Sequence, residues 1–92
     1  MTEPADTLTA VAQLIAQIAA VEIDPFALTR ETRLDADLSL DSISLISLMA
    51  LTEERFGLSF AAHTDAVSNL RTLGDAVDLV DGLLAERETV RA

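Results

Sequence analysis

The chain has 92 residues, half of them hydrophobic but only three aromatic, all phenylalanine, and it carries sixteen acidic side chains against six arginines for a net charge of −10. That size makes one domain with a modest aliphatic core. The charge opposes binding to nucleic acid or anionic membranes and favours partners with basic patches. The absence of cysteine excludes a disulfide framework, a thiolate metal site and a cysteine nucleophile. Three glycines and two prolines supply little turn material for a sandwich or barrel. The apolar runs fall short of the about 18 residues a membrane helix needs, and Thr2 to Thr7 is polar rather than signal-like. A soluble cytoplasmic protein is the expectation.

Residues 1–5 read as a frayed lead-in, with the ordered core of a single 1–92 domain expected over about 6–85. With Asp6 or Thr7 as cap, Leu8, Val11, Ala12, Ile15, Ile18 and Ala19 recur at the spacing of one helical face. The next stretch, 22–41, has no sustained period, and Asp24-Pro25 breaks the helix. Ile23, Phe26, Leu28, Leu34 and Leu38 nevertheless provide regular apolar anchors, so the segment is expected to pack down rather than float, with a short helical turn over Thr29 to Leu34.

A second helix is predicted from about Ser42 to Phe56, stopped by Gly57 in the left-handed position. Leu45, Leu48, Met49, Thr52 and Phe56 form its inward stripe. Ile43, Ile46 and Ala50 form a second apolar stripe followed by Glu53 and Glu54, which reads as an exposed patch with an acidic rim suited to a partner. Leu58-Ser59-Phe60 alternates and reads as an extended connector. His63 to Leu70 can hold one or two helical turns, with Ala66, Val67 and Leu70 inward. Thr72 and Asp75 form a capping-box-like pair ahead of a last helix carrying Leu73, Ala76, Val77, Val80, Leu83 and Leu84 on one face, with a fraying tail from Ala85. The sum is an all-α bundle of three long helices and one short one.

The junction Asp41-Ser42 concentrates the chemistry. An Asp there can cap the helix, and the first-turn N–H groups and helix dipole favour an anion on the neighbouring serine. By itself a serine at a helix start is ordinarily part of a cap. The surrounding run D-L-S-L-D-S-I, flanked by T-R-L-D-A before it and E-E-R-F-G-L after it, resembles the D-L-G-x-D-S-L attachment site of acyl and peptidyl carrier proteins. The later T-L-G-D-A-V-D-L-V resembles their last helix, so the likeness spans most of the chain.

The resemblance implies an acyl-carrier-like four-helix bundle with a long first loop. It implies no catalysis by the chain itself. A phosphopantetheinyl transferase would attach 4'-phosphopantetheine to Ser42, with Asp41 beside it, and the arm's thiol would carry an acyl group as a thioester. Ile43, Ile46, Ala50, Glu53 and Glu54 match the surface that meets basic patches on acyl-loading and acyl-processing enzymes; the bland reading of the two glutamates is a solvated helix end. A monomer is expected. Peptidyl or aminoacyl carriage, and an unmodified acidic interaction module using the same helix face, are the alternatives.

Four departures matter. Ser39 replaces the motif's glycine, implying a less tight turn, and Ile43 replaces its leucine. Ser44 and Ser47 stand where carriers of fatty acid synthesis are often acidic, and Thr52 stands where leucine is commonly buried, which would loosen or enlarge the interior. These point from the housekeeping fatty acid carrier toward a polyketide, peptide or specialised lipid pathway. A long acyl chain would find shelter among the first, second and last helices, flanked by Met49 and Thr52.

Other constellations fall short. Asp35, Asp37, Ser39 and Asp41 invite comparison with a calcium loop, but Leu40 and Ile46 occupy the positions that need Gly and a bidentate Glu. His63, the single histidine, with Asp65 nearby, suits a surface or capping role better than a Ser-His-Asp site.

Overall fold

The computed structural model describes residues 6–19 and 22–91, with side chains to Glu86. Among them are four α-helices and one 3-10 turn: α1 (Thr7–Ile18), the turn Pro25–Ala27, α2 (Ser42–Phe56), α3 (Thr64–Ser68) and α4 (Leu73–Arg91). The small helical bundle of three long helices and one short one is therefore what the chain forms. The lead-in 1–5 lies outside the described residues.

Except at α3, each helix or helical turn starts where a short polar side chain can take an unpaired N–H. Asp6 accepts from the Thr9 N–H at 2.9 Å and Asp24 from the Phe26 N–H at 3.0 Å. At α4 the box is reciprocal: Asp75 N–H donates to the Thr72 hydroxyl oxygen at 3.2 Å, and Thr72 N–H donates to the Asp75 carboxylate at 3.1 Å. The backbone N–H groups of Arg71 and Thr72 hold the Asp75 carboxyl below the usual carboxylate range. Gly57 closes α2 with φ 67°, the left-handed stop predicted for it.

The core joins all three long helices to the first loop. Val11, Ala12 and Ile15 of α1, Leu48 of α2, and Leu73 and Val80 of α4 are buried together with Leu34, Leu38 and Leu40. Helix α1 packs against both α2 and α4 and against the 3-10 turn. Thr52 does not loosen this interior: it is 1% exposed, and its hydroxyl donates to the Leu48 carbonyl at 2.7 Å, so the polar group is satisfied within its own helix.

Two elements differ from the sequence reading. The helical turn of the long loop sits at Pro25–Ala27, and Thr29 to Thr32 closes only a hydrogen-bonded turn. Proline at the first position of a helical turn is pre-set in φ and lacks an N–H that would go unpaired there, which favours the earlier site. At the other end α4 continues through Arg91 instead of fraying from Ala85, because Ala85-Glu86-Arg87-Glu88 contains good helix formers and no breaker.

The long loop is stitched to the start of α4. Leu73 N–H donates to the Thr32 carbonyl at 2.8 Å, Gly74 N–H to the Arg30 carbonyl at 2.9 Å, and Leu34 N–H to the Arg71 carbonyl at 2.9 Å. Arg33 and Thr72 thereby form an isolated antiparallel bridge. Loop carbonyls thus take N–H groups of α4 that have no partner inside the helix. The exposed Arg30–Asp78 ion pair, at 2.8 Å, lies over this seam and adds little by itself.

This close approach needs a glycine. A Cβ on Gly74 would sit 3.0 Å from the Arg30 carbonyl oxygen and 3.1 Å from the Arg30 Cβ, whereas one on Gly82 would meet nothing within 4 Å. Gly74→Ala is expected to lower unfolding stability by about 1–3 kcal/mol through overpacking against backbone. Gly82→Ala should raise it by about 0.5–1 kcal/mol, since a mid-helix glycine only adds unfolded-state entropy. Urea titrations of the two variants beside the parent test the opposite signs.

Candidate functional site

The site is built on the turn that feeds α2. Leu34, Leu38 and Leu40 all sink into the core, so the chain between them must double back within a few residues. Asp37 N–H and Leu38 N–H both donate to the Arg33 carbonyl at 3.1 Å, Ser39 N–H donates to the Asp35 carbonyl at 3.0 Å, and Leu40 N–H donates to the Leu34 carbonyl at 3.0 Å. The Asp37 carboxylate returns the contact by accepting from Arg33 N–H at 2.7 Å. With its leucines buried, this turn is a rigid footing for the residues that follow it.

Ser39 makes the reversal by adopting φ 56°, the left-handed region. The turn is therefore as tight as a glycine turn, not looser, and the serine bears the conformational cost. Ser39→Gly relieves roughly 1–2 kcal/mol of left-handed strain and gives back up to about 1 kcal/mol in unfolded-chain entropy. A net gain of about 0.5–1 kcal/mol in unfolding stability is expected, measurable as a raised Tm with the helical circular dichroism unchanged. A lowered Tm would mean that the Ser39 side chain contributes more than its strain costs.

Asp41 and Ser42 emerge from this footing. Asp41 is the N-cap of α2, its carboxylate accepting from Ser44 N–H at 2.8 Å. That bond, with a further one from the Ser44 hydroxyl, holds the Asp41 carboxyl below the usual carboxylate range, so it is charged near neutral pH. Ser42 is the first residue of the helix and is exposed. Its hydroxyl is presented at the helix N-terminus on a short, capped, well-anchored junction.

Beyond Ser42, Ile43 and Ile46 are 74% and 68% exposed, and Ala50 and Glu54 lie on the surface with them. Four residues of the apolar stripe and acidic rim are thus brought together in the open. The fifth, Glu53, is half-buried and otherwise engaged, its carboxylate accepting from Phe60 N–H at 2.7 Å.

A groove of about 660 Å³ opens beside Ser42 and borders that face at Ile46 and Ala50. Leu45, Ile46 and Met49 of α2 form one wall, and Phe60, Thr64, Val67 and Leu70 face them from the segment containing α3. Between α1, α2 and α4, where shelter for a long chain was expected, Ile15, Leu48, Leu73 and Val80 are packed at 1% exposure or less. Sequence reasoning marked Val67 and Leu70 as inward-facing, but no local signal says that they face α2 across a gap. Met49 belongs to the groove; Thr52 does not line it.

The remaining candidates serve the fold. Asp35 accepts from Ala36 N–H at 2.6 Å and lies 3.5 Å from Arg33, Asp37 and Asp41 hold backbone N–H groups as described, and no cluster of three or more His, Asp or Glu able to hold a metal occurs among the described residues. His63 occupies the N-cap of α3 without a side-chain capping bond. No helix among the described residues is long and apolar enough to cross a membrane.

A family model described as the phosphopantetheine attachment site matches residues 9–80, which takes in most of α1, the clamped loop, α2, α3 and the start of α4. The chain belongs to the phosphopantetheine-binding acyl carrier family. An acyl carrier protein of Acidothermus cellulolyticus is 33% identical over 82% of the chain and 84% of its own length. One from Micrococcus luteus is 41% identical over 53% of the chain and 58% of its own length, and a meromycolate extension acyl carrier protein of Mycobacterium leprae is 27% identical over 88% of the chain and 67% of its own length. Such proteins are carriers and not enzymes, and their covalent cofactor is 4'-phosphopantetheine. The residues here suit that group: an exposed hydroxyl on a rigid footing, a helix N-terminus for its phosphate and an apolar groove alongside. The group itself supplies a thiol that the cysteine-free chain lacks.

Proposed function

We propose that Ser42 is the attachment point of the 4'-phosphopantetheine arm, and that residues 1–92 act as one carrier domain shuttling thioester-bound acyl intermediates between enzymes. The observation that carries this reading is the placement of an exposed serine as the first residue of α2, behind the Asp41 cap and beside an apolar groove. In the groove the first carbons of a bound acyl chain would lie against Leu45, Met49, Phe60 and Val67, out of water. Asp41, close to the arm, orients the helix start by holding Ser44 N–H and keeps the surroundings anionic.

Ile43, Ile46, Ala50 and Glu54 form the surface on which the phosphopantetheinyl transferase and the acyl-processing enzymes dock. Its exposed isoleucines supply apolar area, and the excess of acids over arginines steers basic partners toward it. The names of the similar proteins favour acyl over aminoacyl cargo, and the mycobacterial relatives favour a specialised lipid or related pathway.

The test is an intact mass of the purified chain before and after incubation with coenzyme A and a promiscuous phosphopantetheinyl transferase. A gain of one phosphopantetheine unit supports the carrier reading. A folded chain that gains nothing beside a carrier that does would leave an unmodified interaction module using the same helix face.

A further inference from the structure

The proposed docking surface holds a carboxylate that the fold itself uses. We infer that Glu53 is the latch holding the outer wall of the groove against α2, so that it sets how far the groove opens instead of waiting for a partner's cation.

Glu53 fixes the exit from α2 at two points. Its carbonyl accepts from Leu58 N–H at 3.0 Å as the chain turns at left-handed Gly57, and its carboxylate accepts from Phe60 N–H at 2.7 Å. Glu53 and Phe60 both line the groove, so the bond spans the end where its two walls meet.

Past Phe60 the wall has only shallow anchors of its own. Helix α3 is five residues long with no buried residue and no side-chain cap. A helix that short does not hold itself together in water. Phe60, 5% exposed, is the single fully buried anchor of the wall; Val67 and Leu70 are only partly buried. Phe60 belongs to the same core as α1, α2 and α4, and Val67 and Leu70 pack only partly buried against it, so past Phe60 the wall is the most shallowly anchored part of the fold. Loss of the Glu53 bond therefore frees the Phe60–Leu70 wall before it disturbs anything else, as expected of the least stable unit in a fold.

The consequence for the proposed carrier rests on the Ser42 reading: a firmly latched wall keeps a thioester-bound chain in the groove, and a loosened wall exposes it. The acceptor matters here, not the charge. Glutamine places an amide oxygen where the carboxylate oxygen lies and can keep the bond, while alanine cannot.

Amide hydrogen exchange on the unmodified chain tests this with Glu53→Ala and Glu53→Gln. Exchange over residues 60–68 is expected to rise on the order of tenfold in the alanine variant, with α1 and the buried part of α4 unchanged, and to stay within about twofold of the parent in the glutamine variant. Equal exchange in parent and alanine variant, or equal acceleration in both variants, overturns the latch. With the arm loaded with octanoate, hydroxylamine should cleave the thioester several times faster in the alanine variant only. The exchange measurement needs no arm, so failure of modification at Ser42 would leave the latch test intact.

Discussion

Ser42→Ala is expected to gain no mass with coenzyme A and a phosphopantetheinyl transferase, while the parent converts to a single modified form. The loss should be complete, because alanine has no oxygen to attack the pyrophosphate bond and take the phosphopantetheinyl phosphate. Folding should be nearly untouched. Ser42 is exposed, and the helix cap is the neighbouring Asp41, whose bond to Ser44 N–H survives the change. A helix start with Ala in its first turn loses no propensity. The control is therefore an unchanged circular dichroism spectrum and Tm. Modification persisting in the variant would place the arm on another hydroxyl, and Ser39, Ser44 and Ser47 are the nearest serines in sequence.

Leu34→Ala should cost about 2–5 kcal/mol of unfolding stability, read from the shift of a urea transition at constant slope. Leu34 comes from a connection with no regular period, yet it is 1% exposed within the core. Its removal leaves a cavity among side chains held by three helices, which can collapse only in part. The effect should also reach the site. The Leu34 carbonyl accepts from Leu40 N–H and its N–H donates to the Arg71 carbonyl, so the residue joins the α2 footing to the start of α4. Slower modification of Ser42 at temperatures where the variant is still folded is the expected companion. A loss below about 0.5 kcal/mol, the range of a surface change, would show that the loop lies on the fold without being part of it.

The elements with a strong period were readable without a structure. The centres of the predicted stripes of α1, α2 and α4 are buried, while their ends (Leu8, Ile18, Ala19, Leu45, Phe56, Leu84) are partly buried and Ala10 and Leu14 join the core from outside the α1 stripe; Gly57 stops α2, and Thr72 with Asp75 forms the capping box. Ile43 and Ile46 stood out for the same reason: a helix that is apolar on two sides can turn only one of them to a single core. The Asp41-Ser42 junction was legible because a cap is a local event, settled by one side chain and an N–H three residues on.

What stayed hidden depends on contacts between distant residues. Ser39 looked like a departure that would slacken its turn, yet burial of Leu38 and Leu40 on either side forces it into the left-handed region all the same. Core burial outweighs the about 1–2 kcal/mol of backbone strain. Glu53 and Glu54 are adjacent and alike in sequence, but the path of the chain after Gly57 brings Phe60 N–H to the first and leaves the second in solvent.

The groove shows the division most clearly. By itself the sequence determined four helices, their faces, the capped serine and the family, because periodicity, caps and a short motif are properties of neighbouring residues. Only the tertiary structure decided that α1 packs on both α2 and α4 and that the space beside Ser42 lies between α2 and the short α3 segment. Side chains fill the interior between long helices to near-crystalline density, and a helix of five residues offers too little surface to seal the remaining flank.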